Sequence, residues 1–186
     1  ADNMVSSGYG GGLSAFYGSY THIIDSVIWN NVTSVGPQIA IGSIANPSTV
    51  EVRFSDVQGG APGVSVAGDS VLIWDDGSNL TGTPQFSDPL FVTGDRGDYY
   101  LSNADVNDPN DPVQDVTSAA VDMGSVMADS DANTTLPFGP YPYTTRTDNV
   151  SDTGYIDLGF HFLKSGPFAE GDINYDNEVD NVDLNL

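Results

Sequence analysis

The densest group of metal-ligating residue types in this chain occupies residues 171–186, which read GDINYDNEVDNVDLNL. Counting from the aspartate at 172, oxygen-bearing side chains stand at positions 1, 3, 5, 7, 9 and 12 of a twelve-residue loop. Calcium binds about six to eight oxygen atoms, and loops with this spacing supply most of them from one short segment. The spacing predicts a Ca²⁺ site whose ligands are Asp172, Asn174, Asp176, Glu178, Asp180 and Asp183.

The predicted ligands differ in how they reach the cation. The first three bind through their side chains, Glu178 through its backbone carbonyl and Asp180 through a water molecule, while Asp183 closes the loop. Asn177 stands where such a loop turns sharply, and Asn accepts a positive φ better than most residues do. A solvated acidic tail is the alternative, but its carboxylates would repel one another without a cation.

A second group of acids lies upstream among turn-forming residues and comprises Asp122, Asp148, Asp152 and Asp157. These carboxylates could form another calcium site that ties two parts of the chain together. The alternative is that each of them stabilises a local turn or faces solvent. The residue pattern leaves both possibilities open.

Residues suited to acid–base catalysis are scarce. A polysaccharide lyase or glycosidase needs paired carboxylates, or calcium with a basic residue, and the chain has only four Lys and Arg and two His. Arg53 follows Glu51 on the wet face of a predicted strand, where a cross-strand ion pair is the simpler expectation. His161, between Phe160 and Phe162, is expected to be packed rather than to act as a base.

The charge balance limits the partners of the chain. Its 186 residues include 26 Asp and Glu against 4 Lys and Arg, which gives a formal net charge of −22. Such a chain should be repelled by nucleic acid and by anionic membranes, and it should attract cations. Because 39% of the residues are hydrophobic and 10% aromatic, we expect a folded protein rather than a disordered acidic one.

Two further features narrow the class of protein. The chain has no cysteine, which excludes disulfides and thiolate zinc sites, so calcium is the natural stabilising device for a secreted protein of this kind. No apolar run approaches the roughly 20 residues that cross a bilayer. The first residues, ADNMVSSGYGGG, read like an internal cut, so we expect a mature product or a fragment.

Short strands dominate the predicted secondary structure, at residues 21–29, 38–41, 49–57, 71–74 and 90–92. Two segments that are 29 residues apart, SVIWNN and SDVQGG, each place an apolar residue two positions after a serine. A repeat of this length predicts a solenoid of stacked parallel strands, although an antiparallel sandwich would also give short strands between turns. Beyond about residue 93 the pattern is irregular but rich in aromatic residues, and we expect this part to cover the end of the stack.

Most of the chain resembles one family of bacterial proteins. Motifs typical of the C-terminal end of right-handed parallel β-helix proteins of the pectate-lyase-like superfamily follow in order: GGGL at 10–13, IIDSVIWNN at 23–31, QIAI at 38–41, VRFSDVQGG at 52–60, DPLF at 88–91, GDYYL at 97–101, AVDMGS at 120–125 and DTGYIDLGFHF at 152–162. The resemblance implies an all-β fold of terminal coils with an irregular cap, in an extracellular setting. It implies no particular activity, because the superfamily includes lyases, hydrolases and non-catalytic surface proteins.

The tail resembles a different family. Residues 171–184 are similar to the first calcium-binding repeat of a type I dockerin, except that Asn177 replaces the usual glycine. Dockerins carry two such repeats, resemble EF-hands in their calcium loops and dock onto cohesins. The resemblance therefore implies Ca²⁺ and either a cohesin-like partner or self-association. The missing second repeat leaves open whether a second molecule, the solenoid or further residues complete the unit.

These observations predict three parts: parallel β-helix coils at 1–92, an irregular capping segment at 93–168 and a partial dockerin-type segment at 169–186. The function they favour is that of a non-catalytic extracellular or cell-surface calcium-binding module for attachment or self-association. Extracellular polysaccharide is a further possible partner. The alternative is the C-terminal part of a polysaccharide lyase or glycoside hydrolase, which leaves an enzymatic role open.

Overall fold

The computed structural model describes residues 1–80, 88–106, 112–128 and 143–163. In these residues the fold is all-β, and one short 3₁₀ turn at Ala61–Gly63 interrupts the strands. None of the described residues forms a helix long and apolar enough to cross a membrane. The strands are β1 Leu13–Ala15, β2 Tyr20–Ile28, β3 Ile39–Ile41, β4 Thr49–Val57, β5 Val64–Val66, β6 Val71–Trp74, β7 Phe91–Gly94, β8 Gly97–Leu101, β9 Tyr143–Thr144 and β10 Phe162–Leu163.

The first six strands form two parallel sheets, ordered β1–β3–β5 and β2–β4–β6. In the first sheet, Leu13 pairs with Ile39, which pairs with Val64. In the second sheet, Tyr20 pairs with Thr49, which pairs with Val71. Each step to a neighbouring strand therefore advances the chain by 22 to 29 residues (13 to 39, 39 to 64, 20 to 49 and 49 to 71). We call residues 1–80 the parallel segment.

The predicted repeat is confirmed by the strand register. Ser26 pairs with Ser55 and Ile28 pairs with Val57, both in parallel orientation. These are the serine and apolar positions of the two similar segments. Because all the strand pairs between residues 13 and 74 are parallel, the antiparallel sandwich is wrong for this part of the chain.

Both long strands bend at the same place. Asp25 in β2 and Phe54 in β4 have left-handed φ values of 51° and 44°, and the register of the two strands skips both residues. A positive φ at phenylalanine is strained, so the surrounding packing must stabilise it. Each strand thus turns a corner and presents its two halves to different surroundings.

Hydroxyl groups repeat beside the strands. Ser48 Oγ accepts the Ser19 N–H at 3.2 Å, and Ser70 Oγ accepts the Ser48 N–H at 3.1 Å. These serines precede β2, β4 and β6 at equivalent positions. They satisfy backbone donors at corners where the strand ladder stops.

The parallel segment encloses an aliphatic core. Ile39, Ile41, Val50, Val52 and Val57 are all at most 1% exposed. Along β4, Val50 and Val52 alternate with Glu51 and Arg53, so one face packs inward and the other faces outward. The alternation predicted for residues 49–57 is observed at Val50, Val52 and Arg53. It is wrong at Glu51, which is buried at 7% exposure rather than wet, and it ends at Phe54, where the strand bends.

The described residues from 88 to 163 form what we call the closing segment. Its two strand pairs, β7–β8 and β9–β10, are antiparallel. A second apolar cluster forms around Leu101, Ala120 and Leu158, and Val27 of β2 packs against it. The closing segment therefore lies against the outer face of β2.

Asp25 fastens the closing segment to the parallel segment. Its carboxylate accepts hydrogen bonds from the Ser125 N–H at 2.6 Å and from Ser125 Oγ at 2.7 Å. Its carbonyl oxygen accepts the Gly159 N–H at 3.0 Å. The bend that puts Asp25 in the left-handed region also frees its polar groups for these contacts.

Candidate functional site

Three acids of the closing segment converge. Asp122, Asp152 and Asp157 each place one carboxylate oxygen within 4.8 Å of those of the other two. Asp122 is exposed, Asp152 is half-buried and Asp157 is buried. We call this group the acid cluster.

Backbone pairing positions these acids. The stretch that carries Asp122 runs beside the stretch that carries Asp157, and the Leu158 N–H donates to the Ala120 carbonyl at 2.9 Å. Gly154 has a φ of 79°, and a Cβ atom there would lie 2.5 Å from Asp122 Oδ1. Glycine at this position lets the Asp122 carboxylate approach the backbone closely.

Hydrogen bonds hold the carboxylates in fixed orientations. Asp157 Oδ1 accepts the Asp122 N–H at 2.7 Å, and Asp157 Oδ2 accepts a bond from Thr145 Oγ1. Asp152 Oδ2 accepts the Asp157 N–H at 2.8 Å and lies 3.2 Å from His161 Nε2. The group is therefore ordered before any ligand arrives.

The electrostatics of the acid cluster favour the binding of a positive charge. Burial, together with the charge of Asp152, raises the pKa of Asp157 to about 6. The same two causes raise the pKa of Asp122. A cation beside these carboxylates would reverse both shifts, because it favours the charged form of each acid.

His161 contacts the acid cluster through Asp152. Burial acts to lower the pKa of His161, but its hydrogen bond to Asp152 and the charges of Asp152 and Asp157 outweigh burial and raise it. The side chain is 22% exposed. His161 is thus a packed residue that also orients a carboxylate, which sequence reasoning missed.

The acid cluster can hold a hard cation. Its donors are all carboxylate oxygens, which suit Ca²⁺ better than they suit softer metals. Three carboxylates supply fewer oxygens than calcium usually takes, so backbone carbonyls or water would complete the shell.

Asp148, the fourth acid of the predicted group, lies outside the acid cluster. The Arg146 guanidinium binds its carboxylate through Nε at 3.0 Å and through Nη2 at 2.7 Å. The hydrogen bond from Arg146 holds the pKa of Asp148 below its usual range. Asp148 is therefore committed to a local ion pair.

The predicted calcium loop lies outside the described residues. This applies to all six of its ligands, namely Asp172, Asn174, Asp176, Glu178, Asp180 and Asp183. The loop therefore stays a prediction from the sequence.

A second polar group lies on the outer face of β2 and β4. Glu51 is bound by Arg53, by His22 Nδ1 at 3.0 Å and by the Tyr20 hydroxyl at 3.1 Å. The ion pair expected for Arg53 is present, but it runs along one strand, because residues 51 and 53 both belong to β4 and share a face. The cross-strand contact comes from His22 instead, which was not predicted.

Comparisons with known proteins give no assignment. No family model, no curated protein and no solved structure matches this chain.

Proposed function

We propose that this chain is a non-catalytic, calcium-binding structural module of a secreted or cell-surface bacterial protein. The parallel segment represents the terminal coils of a right-handed parallel β-helix, and the closing segment is its irregular cap. The dockerin-like tail binds Ca²⁺ and mediates attachment to a cohesin-like protein or to a second copy of the chain.

One observation carries the coil architecture. Equivalent positions of β2 and β4 pair in parallel, with Ser26 opposite Ser55 and Ile28 opposite Val57. A chain that returns to the same sheet in the same direction after each repeat builds a solenoid. The matching bends at Asp25 and Phe54 support the same interpretation, because stacked coils turn corners at equivalent positions.

Two features support calcium binding. The tail carries oxygen donors at the spacing of a dockerin loop, and the acid cluster gathers three carboxylates where the closing segment folds back. A chain of net charge −22 without disulfides gains most from divalent cations, which relieve repulsion and tie segments together. Calcium in the acid cluster would stabilise the cap, whereas calcium in the tail would organise the attachment element.

Charge also limits the partners of this module. Its acidity disfavours nucleic acid and acidic polysaccharides, unless calcium bridges the two. A cohesin-like protein partner fits this charge balance better. A second copy carries the same net charge of −22, so its association would need calcium to bridge the two chains. Neutral extracellular polysaccharide remains compatible with it.

Thermal unfolding with and without a chelator tests the proposal. Calcium at about 100 times its dissociation constant raises the free energy of unfolding by about 2.7 kcal/mol per site. We therefore expect a chelator to lower the midpoint temperature of unfolding by roughly 5–10 °C. The pair Asp122→Asn with Asp152→Asn should remove the contribution of the acid cluster, and Asp172→Ala with Asp176→Ala that of the tail. Exposed Asp69→Ala is the matched control. An unfolding midpoint that does not respond to chelation would sink the proposal.

The enzymatic alternative is favoured by one observation. Glu51, His22, Arg53 and Tyr20 form a linked acid, base and aromatic group on the outer face of the parallel segment. Such a group could bind a sugar, and a carboxylate with a histidine can transfer protons. Incubation with neutral and acidic polysaccharides, followed by a reducing-end assay, tests this alternative. Activity that Glu51→Gln abolishes would replace the non-catalytic proposal.

A further inference from the structure

Asp56 is a buried acid with no compensating contact. Its side chain is fully buried, with a relative exposure of 0%. Within the described part of the chain, neither of its carboxylate oxygens has a hydrogen-bond partner. Buried carboxylates are normally paired or hydrogen-bonded, because an isolated buried charge is costly. The exception at Asp56 needs a physical explanation.

The strand register shows which face carries this carboxyl group. Val57 packs in the aliphatic core of the parallel segment, so its neighbour Asp56 points to the opposite face of β4. Asp56 pairs in register with Val27, and registered residues of a parallel pair share a face. Val27 packs against the apolar cluster of Leu101, Ala120 and Leu158 in the closing segment. Asp56 therefore lies at the junction between the two segments.

Other charged groups near this junction are engaged elsewhere. On β4, Glu51 and Arg53 bind each other on the outer face before the bend. On β2, Asp25 is bound by Ser125. After β6, Asp75 accepts the Gly77 N–H at 3.0 Å. Within the described residues, no cation neutralises Asp56.

The closing segment contributes one further acid, Asp88, which accepts the Leu90 N–H at 2.9 Å. Burial, and then the negative charge of Asp88, raise the pKa of Asp56 to about 7. Both causes depend on the docked arrangement, because solvent would reach Asp56 if the closing segment moved away from β4. Docking and protonation of Asp56 are therefore linked.

We propose that Asp56 is a proton-operated latch between the two segments. When Asp56 is protonated, the closing segment docks tightly over β2 and β4. When Asp56 ionises, docking must bury an unpaired charge beside Asp88, and the closing segment opens more often. This inference does not depend on calcium binding, since Asp56 belongs neither to the acid cluster nor to the tail.

The direction of the pH effect follows from linkage. The docked state has the raised pKa, so it binds the proton more tightly than the open state does. Acidification below about pH 7 therefore stabilises docking. The equilibrium constant for opening should fall by up to about tenfold for each pH unit. The gain ends near the ordinary pKa of an aspartate, about 4. Above about pH 7, Asp56 is charged in both states and the opening equilibrium no longer changes with pH.

Amide hydrogen exchange of the whole chain tests the latch. The reporters are the Ser125 and Gly159 amides, which bind Asp25 across the junction. After correction for intrinsic exchange, we expect their opening equilibrium to fall by about tenfold between about pH 8 and about pH 6. Asp56→Asn, which mimics the protonated acid, should keep both amides protected at both pH values.

Matched variants separate Asp56 from the other titrating acids. Asp69→Asn, which changes an exposed acid, should leave the pH response of these amides in place. Asp88→Asn removes the neighbouring charge and should move the midpoint of the response to lower pH, which tests the latch even if Asp56→Asn fails to fold. The latch is wrong if Asp56→Asn keeps the wild-type pH response. It is also wrong if Asp88→Asn leaves the midpoint unchanged, or if added calcium abolishes the response through Asp56, which would make this carboxyl a cation ligand instead.

Discussion

Replacing Asp25 tests how the closing segment is fastened to the parallel segment. Asp25→Ala removes the two hydrogen bonds that Ser125 donates, at 2.6 and 2.7 Å, and leaves the Ser125 N–H without its acceptor. Hydrogen bonds to a charged group contribute about 1.5–3 kcal/mol each when buried. Because Asp25 is only half-buried, we expect about 2–3 kcal/mol from the pair.

The backbone at this position adds a second cost. Asp25 has a φ of 51°, and alanine in the left-handed region is less favourable than aspartate by about 1 kcal/mol. The total loss in the free energy of unfolding should therefore be about 3–4 kcal/mol. Urea denaturation followed by the fluorescence of Trp29 and Trp74 measures this loss.

Two controls separate these causes. Asp25→Asn tolerates the same backbone and retains one oxygen acceptor, so it should lose about half as much stability as Asp25→Ala. Asp69→Ala removes an exposed acid and should change stability by less than about 0.5 kcal/mol. If Asp25→Ala behaves like Asp69→Ala, Asp25 does not fasten the closing segment.

Three further predictions follow from single contacts. Asp148→Asn breaks the ion pair with Arg146 and should lower the free energy of unfolding by about 1.5–3 kcal/mol at neutral pH, measured by urea denaturation. Folding lowers the pKa of Asp148. The wild-type protein should therefore be more stable than the variant above about pH 4, and this difference should disappear as the pH falls below that value. Gly154→Ala should lower the free energy of unfolding by at least about 1–2 kcal/mol, because Gly154 has a left-handed backbone that alanine adopts unfavourably. It should also weaken calcium binding measured by calorimetry, because the added Cβ atom would meet the Asp122 carboxylate. Val52→Ala should cost about 2–3 kcal/mol because its side chain is fully buried, and a loss below about 0.5 kcal/mol would contradict the core described for the parallel segment.

The parallel segment could be predicted well because its signals are local and repeated. The alternation of Val50 and Val52 with Glu51 and Arg53 marks a strand with two different faces. The likeness of SVIWNN to SDVQGG gave the correct parallel register. The three-residue strands β1 and β5 were missed, because segments of that length carry almost no periodicity. The equally short β3 was predicted from the apolar run at residues 38–41.

The junction with the closing segment could not be predicted, because it depends on contacts between distant residues. Asp25 and Ser125 are 100 residues apart, and nothing around either residue indicates the other. Asp56 precedes the core residue Val57 in β4, and nothing in the surrounding sequence indicates what covers its face of the strand. In the structure its side chain is nevertheless fully buried, with 0% exposure.

The acid cluster falls between these two cases. Asp122, Asp152 and Asp157 were candidates because acids among turn residues suggest metal binding, and the fold brings them together. Asp148 was grouped with them because the nearby Arg146 was not weighed as its partner. An arginine two residues away was the signal in the sequence that could have separated Asp148 from the others.

Calcium titration with simultaneous measurement of molecular mass by light scattering tests the central claim most directly. We expect the chain to bind Ca²⁺ and, where the tail self-associates, to increase in mass as calcium is added. Asp172→Ala with Asp176→Ala should abolish the change in mass while calcium still binds at the acid cluster. A chain that binds no calcium and keeps the same mass across the titration would contradict the account of a calcium-binding attachment module.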